Sequence, residues 1–127
     1  MTEDIEKKIV ESTSFALATN GPEGVNVVPL SVVEVHGEEI WFFDFFMGKT
    51  AVNLQQNSMV AFTCWQGFVG LQIKGRAVYE TDGEVFKAQG VVMKERFPDR
   101  TLRAVIRLTP DMVYDVAPGA TGENILM

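Results

Sequence analysis

The sequence predicts a mainly β protein with peripheral helices, built as a closed or nearly closed antiparallel barrel of about six or seven strands. Two observations favour this class. Short runs of apolar and β-branched residues recur along the chain, and turn sequences rich in glycine separate them. A β-sandwich is the main alternative that these observations leave open. No repeat, linker or low-complexity segment divides the 127 residues, so we expect a single domain over 1–127.

The first third of the chain predicts one helix and two strands. The segment 1–11 reads as an amphipathic helix, because its apolar residues recur at helical spacing. Residues 15–19 then form a buried strand, and 20–24 is a turn with two glycines and a proline. A strand rich in β-branched residues follows over 25–35. Pro29 within it cannot donate to a strand ladder, so it marks a bulge, a sheet edge or the point where pairing stops.

The rest of the chain alternates between strands and short helices. The expected elements are an aromatic strand over 40–46, a helix over 50–57, strands over 59–65 and 68–80, a helix from 81 to about 97, strands over 104–108 and 112–116, and a loose tail over 117–127. Gly75 suggests a bulge or a barrel corner inside its strand. Thr81 and Glu84 have the spacing of a capping box at the start of the helix that runs from 81 to about 97.

Charge and composition exclude several classes of function. The net charge of −6 and the pI of about 4.7 argue against general binding to nucleic acid or to an anionic membrane. The single cysteine, Cys64, cannot form an internal disulfide, and no histidines and cysteines share a metal-binding spacing. The charged N-terminus does not resemble a signal peptide, and no apolar run reaches membrane-spanning length. We therefore expect a soluble, cytoplasmic protein.

The segment 40–54 carries the strongest indication of a binding site. An aromatic strand ends there in Gly48-Lys49-Thr50, which opens a short helix. The first N–H groups of a helix have no partner within it, so together with a cation and a hydroxyl group they suit a phosphate. The ordinary alternative is an exposed lysine beside a threonine that caps its helix. The spacing does not fit the phosphate loop of nucleotide hydrolases, because Phe43 stands where that loop has a glycine.

The aromatic strand itself allows two interpretations. It is apolar at nearly every position, which predicts that both of its faces are covered. A dimer interface would explain this aromatic excess, because one small barrel cannot enclose both faces. Asp44 lies among the aromatics, and its carboxylate either contacts a ligand or holds the neighbouring turn. His36 is interpreted as a solvated turn residue and Cys64 as inert packing, and no acid–base pair stands out.

Four segments of the chain, taken together, resemble the pyridoxamine 5′-phosphate oxidase-like, FMN-binding split barrels. They are FFDFFMGKTA over 42–51, NSMVAF over 57–62, LQIKGRA over 71–77 and LTPDMVY over 108–114. In order and spacing they are similar to the family's aromatic strand with its phosphate turn, its next strand entry, a later Gly-x-Ala strand and a closing strand. The resemblance covers about residues 12–116.

The resemblance implies an antiparallel split β-barrel that forms a homodimer with FMN at the interface. It assigns the phosphate to Lys49 and Thr50, and it places Phe43 and Asp44 beside the flavin. The residues implied to line the edge of the isoalloxazine ring are Val28, Pro29, Leu30 and Ser31.

The chain also departs from the family pattern in ways that bear on its activity. Lys49-Thr50 stands where the family has an Arg-Lys pair, and Gly70 stands where the oxidases use a glutamine. The arginine- and tryptophan-bearing C-terminal segment of the true oxidases has no counterpart before residue 127. We therefore do not expect a pyridoxamine phosphate oxidase.

Three hypotheses of function follow from the sequence. The first is a dimeric FMN flavoprotein that acts as a small oxidoreductase or electron carrier. The second is a deazaflavin-dependent reductase, which the same resemblance permits. The third is a non-enzymatic dimer that binds a small molecule such as haem, for which the single histidine and the six methionines offer only scattered ligands. The substrate and the redox partners are not indicated by any motif.

Overall fold

The computed structural model describes residues 1–126 and contains three helices and seven strands within that range. In chain order the elements are α1 (Glu3–Glu11), β1 (Ser14–Thr19), β2 (Asn26–Leu30), β3 (Val33–His36), β4 (Glu39–Asp44), α2 (Lys49–Gln56), β5 (Met59–Gln66), β6 (Val69–Glu80), α3 (Gly83–Arg96) and β7 (Ala104–Asp115). Among these residues, no helix is both long enough and apolar enough to cross a membrane.

All seven strands belong to one antiparallel sheet, in the order β2-β1-β5-β6-β7-β4-β3. The two edge strands, β2 and β3, are consecutive in the chain, and only Ser31 and Val32 lie between them. Since two residues span only about 7 Å, the sheet must curl until its edges approach each other. The prediction of a mainly β, split antiparallel barrel is confirmed, and the sandwich is excluded.

The predicted strand over 25–35 is two strands. Pro29 pairs with Ala16 on β1, and β2 has no neighbour on its other side, so the proline lies on an edge strand, where a sheet tolerates it. After Leu30 the chain crosses from one sheet edge to the other. Pro29 therefore marks an edge, which was one of its predicted meanings, but the apolar pattern concealed the break after it.

The last strand is continuous where the sequence predicts two strands. The register of β6 and β7 shifts at Gly75, which pairs with Pro110 while Lys74 pairs with Met112, so Asp111 is an extra residue. A Cβ atom at Gly75 would lie 2.2 Å from the carbonyl oxygen of Thr109. The bulge predicted at Gly75 is confirmed, and the bulge lets β7 pass through Thr109 and Pro110 without ending.

The apolar residues pack into two clusters on opposite faces of β4. Ile40 and Phe42 belong to the main core inside the barrel, which α1 closes with Ile5 and Ile9. On the outer face the second cluster has four buried members, namely Trp41, Phe43, Met93 and Val105. Both faces of the aromatic strand are covered, as predicted. The cover on the outer face is α3 of the same chain, so this face does not need a dimer interface to be covered, and the dimer stays a prediction.

Two predicted terminal features of the elements differ from the structure. Helix α3 begins at Gly83 after an Asp82 N-cap without a side-chain hydrogen bond, so the capping box of Thr81 and Glu84 does not form. Gly83 has a φ of +92°, and this turn moves the helix start past Thr81. In the tail predicted over 117–127, the Asn124 side chain accepts a hydrogen bond from the N–H of Val113, so the chain is not loose at this residue, and residue 127 lies outside the described residues.

Candidate functional site

A cleft of about 330 Å³ opens where the edge strand β2 meets the end of β4. Its lining is mainly apolar and comes from the edge strand β2, the β2–β3 connection, the end of β4 with the turn after it, and the segment after α3: Val28, Pro29, Leu30, Ser31, Val32, Phe43, Phe45, Phe46, Met47, Gly48 and Arg100. The curl of the sheet brings these segments together, because β2 and β3 are joined by two residues. The cleft therefore lies at the seam where the barrel does not close.

The turn after β4 is held by a buried carboxylate. Asp44 is fully buried, and its Oδ1 accepts a hydrogen bond of 2.7 Å from the N–H of Met47. Its Oδ2 accepts a bond of 2.5 Å from the hydroxyl of Tyr79 on β6. Burial and the adjacent Asp44 raise the pKa of Tyr79 well above its ordinary value. Asp44 thus fixes the turn, which is the second of its two predicted roles.

Helix α2 begins with free donors beside this turn. Its N-cap is Gly48, which gives no side-chain hydrogen bond, and Lys49 is exposed at the first helical position. Thr50 is buried, and its hydroxyl oxygen accepts a hydrogen bond of 2.8 Å from Nδ2 of Asn26 on β2. Thr50 therefore does not cap its helix, and its own hydroxyl proton remains to be donated.

Asn53 anchors α2 from within. It is fully buried, its Nδ2 donates to Thr19 and to the carbonyl of Gly24, and its Oδ1 accepts from the N–H of Glu23. A Cβ atom at Gly21 would lie 2.8 Å from that Oδ1, so the turn before β2 packs directly on the side chain. The position of Lys49 thus depends on a residue that sequence reasoning missed. The available signal was an amide within the apolar helical face.

Arg100 brings a positive charge to the cleft, and sequence reasoning missed this residue too. Its guanidinium carbon lies 4.3 Å from the ring centre of Phe97 and 5.3 Å from that of Phe45. A cation over aromatic faces is attracted by the ring quadrupole. Arg100 follows α3 in a segment without periodicity, so no local pattern could have indicated it.

The structure places the predicted site residues at or beside one cleft. Five of them line it: Val28, Pro29, Leu30, Ser31 and Phe43. Asp44 is buried and follows the lining residue Phe43, while Lys49 and Thr50 follow the lining residue Gly48. Phe46, predicted to belong to the aromatic strand over 40–46, lies beyond the end of β4 at Asp44 and is exposed at the cleft.

Two other candidates lie apart from the cleft lining. The ring of His36 stacks on Trp41 with 3.6 Å between ring centres, and its Nε2 lies 2.8 Å from a carboxylate oxygen of Glu34. Cys64 is buried, and burial raises the pKa of its thiol, which agrees with an inert packing role. Within residues 1–126, no group of three or more acidic, histidine or cysteine side chains could hold a metal ion.

The fold and the position of the cleft define a split β-barrel protein. The model of the pyridoxamine 5′-phosphate oxidase family matches residues 1–117, so the chain belongs to that family. An uncharacterised protein of Methanocaldococcus jannaschii is 29% identical over 133 residues, which cover 99% of this chain and 87% of that protein.

Solved structures share the fold at low sequence identity. HupZ from Group A Streptococcus matches with a TM-score of 0.81 at 18% identity, covering 94% of this chain and 97% of that one. An FMN-binding protein from Syntrophomonas wolfei matches with a TM-score of 0.73 at 17% identity, covering 90% and 87%. HutZ, described as a haem storage protein of Vibrio cholerae, and an F420 reductase also match, with TM-scores of 0.69 and 0.66 at 19% identity. The match to HutZ covers 94% of this chain and 96% of HutZ, and the match to the reductase covers 89% of this chain and 98% of the reductase.

Proposed function

We propose that this protein binds FMN in the seam cleft and acts as a small oxidoreductase or electron-transfer protein. The observation that carries the proposal is the cleft itself, in which an apolar wall from β2 and the end of β4 adjoins a helix start with an exposed lysine and no side-chain cap. Its volume lies within the usual range of cofactor sites. A flat, apolar ring with a phosphate tail has the two chemical parts that these two surfaces suit.

Each predicted site residue has a defined part in this proposal. The positive charge of Lys49 attracts the negative phosphate, and the first N–H groups of α2 donate hydrogen bonds to it. Thr50 adds its hydroxyl proton and fixes Asn26. The segment 28–31 and Phe43 contact the ring, and Asp44 acts by holding the turn.

The redox chemistry would be that of the flavin, which accepts and donates electrons when bound. The contribution of this chain is to bind, to orient and to exclude water. Phe43, Phe45 and Phe46 cover the apolar side of the cleft, where they would limit the access of solvent to the ring. Because Asp44 and Tyr79 already hydrogen-bond each other, we assign neither of them a proton-transfer role.

We further propose a homodimer that packs through the outer face of the sheet. Val27, Ala18 and Ala61 are neighbours in one row across β2, β1 and β5. Met59 on β5 and Met112 on β7 are also exposed, and they pair with Arg76 and Lys74 of β6, respectively. A sheet face that exposes several apolar side chains is a candidate for an interface between copies of one chain. Size-exclusion chromatography with light scattering tests the dimer, and Met59→Lys should shift it toward monomer if this face is used.

The cleft suits the two alternative cofactors to different degrees. A deazaflavin has a flat ring of the same kind, and one matched structure is an F420 reductase, so this alternative keeps the cleft and changes only the occupant. Haem is the alternative suggested by the description of HutZ. It is favoured less, because His36 is stacked on Trp41 and does not line the cleft.

The deciding experiment is an absorbance spectrum of freshly purified protein, followed by titration with FMN, F420 and haem. We expect flavin absorbance and FMN binding that Lys49→Ala weakens by about tenfold, since one charge-assisted contact is lost. Lys87→Ala is the matched control, because Lys87 is exposed on α3 and does not line the cleft. A protein that binds haem with a Soret band and does not bind FMN would contradict the proposal.

A further inference from the structure

Arg103, between α3 and β7, reaches the same turn as Lys49 from a different part of the chain. Its backbone N–H donates a hydrogen bond of 2.8 Å to the carbonyl of Asp44. Its Nη1 donates one of 3.1 Å to the carbonyl of Met47, two residues before Lys49. The guanidinium group is therefore held at the entrance of α2, and the side chain remains exposed.

Neither of these two cations has an acidic partner in the described part of the chain. The ion pairs found among residues 1–126 include neither Lys49 nor Arg103. The closest carboxylate in the turn is that of Asp44, which is buried and already hydrogen-bonded to Met47 and Tyr79. In a chain with a net charge of −6, two exposed cations without an acidic partner at one turn form a local excess of positive charge.

The charge of the proposed ligand calls for more than one cation. A phosphate monoester carries about −1.5 to −2 charges at neutral pH, and Lys49 neutralises only part of that charge. The planar guanidinium of Arg103 has further N–H groups beyond the one that Met47 uses, and that existing bond restricts its orientation in advance. Arg100 is not an equivalent candidate, because its guanidinium lies over the rings of Phe45 and Phe97 on the apolar side.

We infer that Arg103 is the second cation of the phosphate subsite, paired with Lys49 across the start of α2. The inference rests on the proposed binding of FMN and adds to it a residue from outside the turn. It also predicts a division within the cleft. Arg103 recognises the phosphate, whereas Arg100 belongs to the region of the ring.

The test compares the affinities of FMN and riboflavin, which share the ring and differ in the phosphate. Flavin fluorescence titrations on the full chain would use the wild type, Arg103→Gln, Arg103→Lys and the control Arg100→Gln. We expect Arg103→Gln to weaken FMN binding by about tenfold to a hundredfold and to leave riboflavin binding unchanged. Arg103→Lys should retain part of the FMN preference, because it keeps the charge and loses the planar donor group.

Each outcome separates this inference from the function on which it rests. If Arg103→Gln weakens both flavins equally, Arg103 only holds the turn and the inference is wrong. If the wild type prefers FMN and Arg103→Gln keeps the whole preference, the inference fails and FMN binding stands. If the wild type binds neither flavin, both fail. Thermal unfolding without flavin shows whether each variant is folded, and should Arg103→Gln not fold, Arg103→Lys still decides by the ratio of the two affinities.

Discussion

Helices α2 and α3 are held in the fold in different ways. α2 has eight residues, and four of them are buried: Thr50, Ala51, Asn53 and Leu54. α3 has fourteen residues, of which only Met93 is buried. α2 is fixed by specific hydrogen bonds to two strands and a turn, whereas α3 covers the aromatic face of β4 mainly through apolar contact. The helix that presents the candidate phosphate site is therefore the more tightly fixed one.

The two helices also differ in the hydrogen bonds that fix the segments around them. The turn before α2 is held by the carboxylate of Asp44 and the hydroxyl of Tyr79. Neither helix start has a side-chain cap, but in the middle of α3 the buried Oε1 of Gln89 has no hydrogen-bond partner among the described residues. A buried polar atom without a partner lowers stability. The contrast indicates that the specific hydrogen bonds are concentrated around α2, where the ligand is expected to bind.

The largest test of this contrast is Asn53→Leu, which keeps the size of the side chain and removes its polar atoms. The substitution leaves the N–H of Glu23 and the carbonyl of Gly24 without their partner. We expect the free energy of unfolding to fall by about 3 kcal/mol, measured by urea denaturation. Gln55→Ala on the exposed side of the same helix should change it by less than about 0.5 kcal/mol. A loss at Asn53 as small as the control would show that packing, rather than hydrogen bonding, fixes α2.

A smaller effect is expected from Tyr79→Phe, which removes one hydrogen bond to Asp44. The free energy of unfolding should fall by about 1–2 kcal/mol at neutral pH, because the second oxygen of a buried carboxylate loses its donor.

The same variant should alter stability in alkali. The pKa of Tyr79 is raised in the folded state, so the unfolded chain loses this proton first as the pH rises. Stability from this group is complete below the ordinary pKa of tyrosine, about 10, and declines above it. Urea midpoints from pH 8 to 11 should therefore decline less steeply for Tyr79→Phe than for the wild type. Equal slopes would mean that Tyr79 does not contribute.

The smallest effect is a gain in stability, at Gly90 on α3. A Cβ atom there would have no heavy atom within 4 Å, so alanine fits without a clash. Because glycine weakens a helix relative to alanine, Gly90→Ala should stabilise the fold by about 0.5–1 kcal/mol in thermal or urea unfolding. The affinity for FMN should stay the same. A change in that affinity would show that α3 is coupled to the cleft more closely than its packing indicates.

Much of the fold could be predicted because local pattern and tertiary structure agree. The aromatic strand, the helix that starts at Lys49 and the bulge at Gly75 each have a local physical signal, and each is present in the structure. The division of 25–35 had no such signal, because the apolar residues continue through Leu30 and Val33. Only the closing of the sheet, which joins its two edges there, requires the break.

The candidate site could be predicted only where its residues adjoin in sequence or match a family pattern. The resemblance identified the segment 28–31, which the structure brings to Phe43 across the seam. Asn53, Arg100 and Arg103 were not identified, since each is important through a partner distant in the chain. Arg103 contacts Met47 across 56 positions, and no periodicity or spacing indicates such a contact.

The seam between β2 and β3 has a further consequence, which concerns the tendency of the protein to aggregate. Each of these strands pairs with the sheet on one side only, so each presents unpaired backbone groups along its outer edge. Exposed edges of this kind can recruit strands from other molecules. A heteroaromatic ring that lies against the segment 28–31 could take up some of the hydrogen bonds that a neighbouring strand would otherwise make. In that role the bound ligand would protect the edge of β2, and protein prepared without it should be more prone to aggregate.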